Sequence, residues 1–115
     1  GWYLLEECVG ELFRWVNNDA EILVTNAGER RLELDMAPGP ALGSMPLTLN
    51  VLHGGEQLAH FVIYSRGRIG VDLPQSCVVP YSIMLHVEHS GAAMPGNQRI
   101  LNFRVFHIPP YRCER

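Results

Sequence analysis

Five histidines, three cysteines and an acidic N-terminal stretch are the residues whose chemistry could build a reactive site. The histidines are His53, His60, His86, His89 and His107. Metal-binding β-barrels often use an H-x-H pair, whose spacing sets both imidazoles on one face of a strand. No such pair occurs. His86-Val87-Glu88-His89 comes nearest, and strand alternation puts His86 and Glu88 on one face with His89 on the other. A metal there would need further ligands and hydrogen-bond partners to orient them, so these positions read as polar and outward-facing, and no metal ligand is assigned. Cys8, Cys77 and Cys113 lack C-x-x-C spacing, and an odd number does not suit a secreted disulfide framework. They read as buried or incidental thiols in a reducing compartment. No serine lies in a G-x-S-x-G elbow. Gly54-Gly55 leads into a strand, which removes the helix N-terminus that a phosphate loop needs. Glu6, Glu7 and Glu11 offer one wall of a polar groove or, more simply, a solvated edge. No catalytic residue and no cofactor are assigned.

Aromatic residues are more informative. Trp2, Tyr3, Phe13 and Trp15 crowd the first fifteen positions. Such rings bury large areas and also stack on flat apolar ligand faces, including sugar rings. The cluster is a binding platform or a plug closing one end of the core. Alternation puts Phe13 and Trp15 on one side of their strand and Arg14 on the other, which assigns Phe13 and Trp15 to the core, together with Phe103.

Positioning these groups falls to short strands. Period-2 alternation marks Arg31 to Met36, Pro46 to Val51, Arg68 to Leu73, Tyr81 to Glu88 and Leu101 to Phe106 as half-buried strands. Ala20 to Thr25 and Leu58 to Tyr64 are more continuously apolar, as strands covered on both faces would be. Phe13 to Val16 is a shorter candidate, giving about eight strands. Turn chemistry separates them at Asn17-Asn18-Asp19, Asn26-Ala27-Gly28, Pro38-Gly39-Pro40, Arg66-Gly67 and Met94-Pro95-Gly96-Asn97. Val51 to Leu58 reads as a hairpin turning on Gly54-Gly55. No segment sustains a 3.6-residue period. The expected fold is all-β: a single-domain antiparallel β-sandwich of jelly-roll type over residues 1–115.

Composition bounds the function. A chain of 115 residues with 47% hydrophobic residues and a net charge of −3 suits one folded domain rather than a disordered tail. All nine basic residues are Arg. With a pI near 5.9 and no basic groove, nucleic acid is not an expected partner. Apolar runs fall far short of the ~20 residues of a membrane-spanning helix. No signal peptide is visible, and the expected location is cytoplasmic.

Two blocks carry a family resemblance. Gly1-Trp2-Tyr3-Leu4-Leu5-Glu6, Phe13-Arg14-Trp15 and Ala20 to Val24 form one. Pro95-Gly96-Asn97-Gln98-Arg99 running into the last strand forms the other. Together they resemble small β-sandwich accessory domains appended to bacterial glycosyltransferases and methyltransferases of polysaccharide biosynthesis. Leu4 stands where that pattern has Pro, Asn97 where it has an acidic residue, and Asn102 where it has Gly. The resemblance implies a non-catalytic, carbohydrate-binding-like accessory module, excised from a larger protein, whose partners are a saccharide and the catalytic domain of the parent. From the matching positions, Trp2, Tyr3, Arg14 and Arg99 are the expected ligand-contacting residues. For Arg99 the alternative is a structural clamp onto Glu6, Glu7 or the backbone. Two other functions stand beside this one: a homodimerisation or domain-docking module, and a small cupin-like metal-binding protein.

Overall fold

The structure is a computed structural model that describes residues 1–75, 77–93, 95–96 and 98–106. His107 and Cys113, weighed above as a metal ligand and a thiol, lie outside the described residues, as does Asn97. Alternation of residue type becomes alternation of burial. Strand Arg31–Pro38 buries Leu32, Leu34 and Met36; Leu47–His53 buries Leu47, Leu49 and Val51; Tyr81–Val87 buries Ile83, Leu85 and Val87. Polar residues between them face away from the partner sheet.

Nine strands occur among the described residues: β1 (Trp2–Cys8), β2 (Glu11–Val16), β3 (Asp19–Val24), β4 (Arg31–Pro38), β5 (Leu47–His53), β6 (Glu56–Ile63), β7 (Gly67–Asp72), β8 (Tyr81–Val87) and β9 (Phe103–Phe106). They form two antiparallel sheets, ordered β1-β2-β9-β4-β7 and β3-β8-β5-β6. Apart from the β1–β2 and β5–β6 hairpins, every connection carries the chain from one sheet to the other. That interleaving is the double Greek key of a jelly roll, and the eight expected strands correspond to β2 through β9. Gly54 and Gly55 turn the β5–β6 hairpin at φ of 58° and 85°, the left-handed values its two central positions require.

Two expectations need correction. β1 escaped the alternation test because its pairing with β2 shifts register between Trp2 and Leu5, so its apolar residues do not keep to one face. β3 and β6 are not covered on both faces. Each is an edge strand of the four-stranded sheet, and Leu23 and Val62 are left exposed on its outer side.

One end of the sandwich is tied together by a single amide. Asn102, the one buried polar residue among those described, is fully enclosed. Its Nδ2 donates to the Asn17 carbonyl (2.5 Å) and to Ser90 Oγ (2.9 Å), and its Oδ1 accepts from Gly91 N (2.8 Å). Its backbone N donates to the Val16 carbonyl and its own carbonyl accepts from Gly39 N. Three connections, β2–β3, β4–β5 and β8–β9, therefore converge on one residue. They approach so closely that a Cβ on Gly39 would stand 2.1 Å from the Leu101 carbonyl oxygen, and one on Gly91 1.9 Å from that of Ala41. Only glycine fits at those crossings.

Replacing Asn102 by Ala strands an amide N–H and a carbonyl in a dry site. Each such group costs about 1–3 kcal/mol, so Asn102→Ala should lower unfolding free energy by about 3 kcal/mol, read from the urea midpoint at unchanged slope. Val9 makes the opposite case. It is a β-branched residue held at φ 51° at the tip of the β1–β2 hairpin, 97% exposed and making no compensating packing. Val9→Asn should raise stability by about 1 kcal/mol, the approximate penalty of a left-handed backbone for a residue with a branched Cβ.

Candidate functional site

Phe13 and Phe106 are buried, but not between the sheets. They stand directly opposite each other on β2 and β9, on the outer face of the five-stranded sheet. Register extends that face in rows. Glu6, Phe13, Phe106, Asp35 and Arg68 form one row across β1, β2, β9, β4 and β7; Trp15, Arg104 and Ala37 form the next. Phe13 packs edge-on against Trp15 and tilted against Phe106, with ring centroids 6.0 Å apart in both pairs. A small second core thus lies on the outside of the sandwich.

Arginines roof it. Arg66, from the β6–β7 connection, lays its guanidinium 3.5 Å from the Phe106 ring centroid. It also grips both oxygens of Glu11 (2.8 and 2.6 Å) and both of Asp35 (3.2 and 2.8 Å). These bonds hold the Arg66 pKa above its already high ordinary value, and they hold the Glu11 carboxyl below the usual carboxylate range. Arg104 rises from the central strand β9 among three rings, with its guanidinium carbon 4.8 Å from Phe13, 5.1 Å from Trp15 and 4.9 Å from Phe106. Cation–π attraction at such distances holds the side chain among the three rings.

At the β1 margin, Arg99 Nη1 donates to Glu6 Oε2 at 2.8 Å, and its guanidinium carbon lies 5.6 Å from the Tyr3 ring centroid. Tyr3 Oη accepts from Ile100 N at 3.1 Å. The clamp onto Glu6, weighed above as the alternative role for Arg99, is therefore present. Tyr3 and Arg99 come together, as two of the expected ligand residues, beside the aromatic rows. Trp2 and Arg14 do not join them. Trp2 aligns with Val16, packs against the inter-sheet core and donates its Nε1–H to the Glu21 carbonyl (2.8 Å), so it fastens β1 to β3. Arg14 shares its side of β2 with Val16, and its Nε is buried without a hydrogen-bond partner. Of the residues expected in the core, Phe103 is fully enclosed between the sheets. The core role expected for Trp15 needs correction: it is half-buried on the outer face, because the Phe13–Trp15 side of β2 points away from the partner sheet.

Arg66 and Phe106 went unselected in the sequence. Nothing local marks Arg66, a turn residue that acts across three strands. Phe106 sits on the side of β9 that alternation made polar, together with Arg104. That clash of pattern was the available signal.

The opposite sheet carries a polar row: Asp19, His86, Asn50 and His60, aligned across β3, β8, β5 and β6. His86 Nδ1 meets Asp19 Oδ1 at 2.5 Å, and Asn50 Nδ2 donates to Glu88 Oε2 at 3.0 Å. His60 and His89 flank the same carboxylate at 3.7 and 3.4 Å. The Asn50 hydrogen bond, then the nearby imidazoles, depress the Glu88 pKa. Among the described residues no three side chains are placed to hold a metal ion, and His86 faces outward as expected. Cys8 is exposed and Cys77 half-buried, with its Sγ 3.6 Å from His53 Nε2, so neither is a core thiol. No helix among the described residues is long and apolar enough to cross a membrane.

No family model, curated protein or solved structure matches the chain.

The depressed carboxyls fix the sign of an acid effect. Glu11 and Glu88 ionise more readily folded than unfolded, so between the two pKa values the unfolded chain binds more protons. Their stabilisation is present above the unfolded value and lost as pH falls through the folded one. The melting temperature should therefore drop on acidification below about pH 5. The double variant Glu11→Gln/Glu88→Gln should melt lower at neutral pH and lose part of that acid slope, as followed by circular dichroism.

Proposed function

We propose that this chain is a non-catalytic accessory module that binds saccharide on the outer face of its five-stranded sheet. The observation that carries the reading is the half-buried indole of Trp15, which stands opposite Arg104 of β9 and packs edge-on against Phe13. A sheet face that offers an aromatic surface flanked by hydrogen-bonding side chains is the combination a sugar ring requires. Its apolar C–H face stacks on the ring and its hydroxyls reach donors and acceptors at the edge. Gly39 backs this arrangement, since a Cβ there would stand 2.9 Å from Trp15 Cζ3. The resemblance of the two terminal blocks to glycan-synthesis accessory domains points the same way, with the catalytic domain of a parent protein as the second partner.

A docking or dimerisation reading rests on a different observation. β1 is an edge strand of the five-stranded sheet, and Leu4, Leu5, Val9 and Leu12 of its hairpin are exposed. An unpaired edge with apolar side chains is a template for another strand.

A glycan array followed by calorimetric titration separates the two. Saccharide binding by the monomer that Trp15→Ala abolishes, in a variant that remains folded, supports the first reading. No binding to any saccharide, together with a dimer whose population rises with concentration, supports the second. Because Trp15 is only half-buried, its removal should cost about 2 kcal/mol rather than the larger loss of a fully enclosed aromatic.

A further inference from the structure

We infer that the saccharide recognised by this face is an acidic one, with its carboxylate held by Arg104; the inference rests on the saccharide reading above and names its ligand class. Three guanidiniums lie against rings of the outer face, those of Arg66, Arg99 and Arg104, and they differ in what they hold. Arg66 is engaged by both oxygens of Glu11 and both of Asp35. Arg99 is engaged by Glu6. Arg104 stands on the middle strand of the sheet, opposite Trp15 on one side and Ala37 on the other. Among the described residues it has no ion pair. Glu11, the carboxylate that feels its charge, already has both oxygens committed to Arg66.

The side chain is also fixed in advance. Three ring faces lie within 4.8 to 5.1 Å of its guanidinium carbon, and its Nε is buried with no hydrogen-bond partner. A half-desolvated cation gains most from an anion that replaces lost water, and a planar guanidinium matches a planar carboxylate through two parallel hydrogen bonds. The indole of Trp15 is the neighbouring apolar surface. A ring stacked there with its carboxyl directed at β9 satisfies both groups together, whereas a neutral sugar leaves Arg104 without an anion. Ala37, the small residue on the far side of Arg104, leaves that flank without a competing side chain of any length.

The test compares oligosaccharides of glucuronic acid with glucose oligomers of the same length and linkage by calorimetric titration of the intact chain. The acidic oligomer should bind at least tenfold more tightly, and its advantage should shrink as salt rises from low to physiological ionic strength. Arg104→Gln should reduce its affinity to that of the neutral oligomer, and Arg104→Lys should restore only part of the difference, because it returns the charge without the fork. Equal affinity for the two oligomers in the unaltered chain overturns the inference and leaves the saccharide reading standing. So does a preference that survives Arg104→Gln. Binding of neither oligomer overturns the inference, and a glycan array on which no saccharide binds overturns the saccharide reading with it. A polyglutamate peptide of matched charge that binds more tightly than the acidic oligomer overturns the assignment to saccharide. The salt titration needs no variant, so the inference can fail even if substitutions at Arg104 unfold the chain.

Discussion

Everything at one end of this sandwich depends on an amide that cannot reach water. Asn102 is enclosed, and a buried amide is tolerated only where its donors and acceptor are met. Here they are met by the β2–β3 and β8–β9 connections, while the backbone carbonyl of the same residue takes the Gly39 N–H from β4–β5. The constraint runs in both directions. The loops are fixed because the amide must be satisfied, and the amide is buried because the loops close over it. β9 begins at the next residue, so the register that puts Arg104 opposite Trp15 follows directly from how Asn102 is anchored.

Much of the architecture could be read along the chain. Leu32, Leu34 and Met36, or Ile83, Leu85 and Val87, alternate with polar partners because a sheet with one wet face and one dry face demands it. Such strands announce themselves. β1 did not, since a register shift within its pairing exchanges faces partway along and erases the alternation. β3 and β6 misled in the other direction: Leu23 and Val62 are apolar but lie on the outer side of edge strands, where no partner covers them.

The candidate site was legible only in fragments. Tyr3, Arg99, Phe13 and Trp15 could each be singled out, yet which side of β2 met the other sheet was not decidable from Phe13-Arg14-Trp15 alone. Both sides of that strand carry a large residue that can be buried. Cross-strand register decides the matter, and register is a property of pairs far apart in sequence: Phe13 with Phe106, Asp35 with Phe106, Arg66 reaching Glu11 and Asp35. The polar row on the other sheet has the same origin. Asp19, His86, Asn50 and His60 bear no spacing relation along the chain, and become neighbours only when four strands align.

The absence of lysine among the nine basic residues takes on a meaning at the outer aromatic face. A guanidinium keeps its proton under any condition a cell provides, whereas an ammonium pressed against rings and away from water would be tempted to give it up. The positive charges over Phe13, Trp15 and Phe106 are carried by guanidiniums alone. Beside them the Glu11 carboxyl is held below its ordinary range by Arg66. Acidification strong enough to protonate Glu11 makes this surface more positive, so its attraction for anions grows.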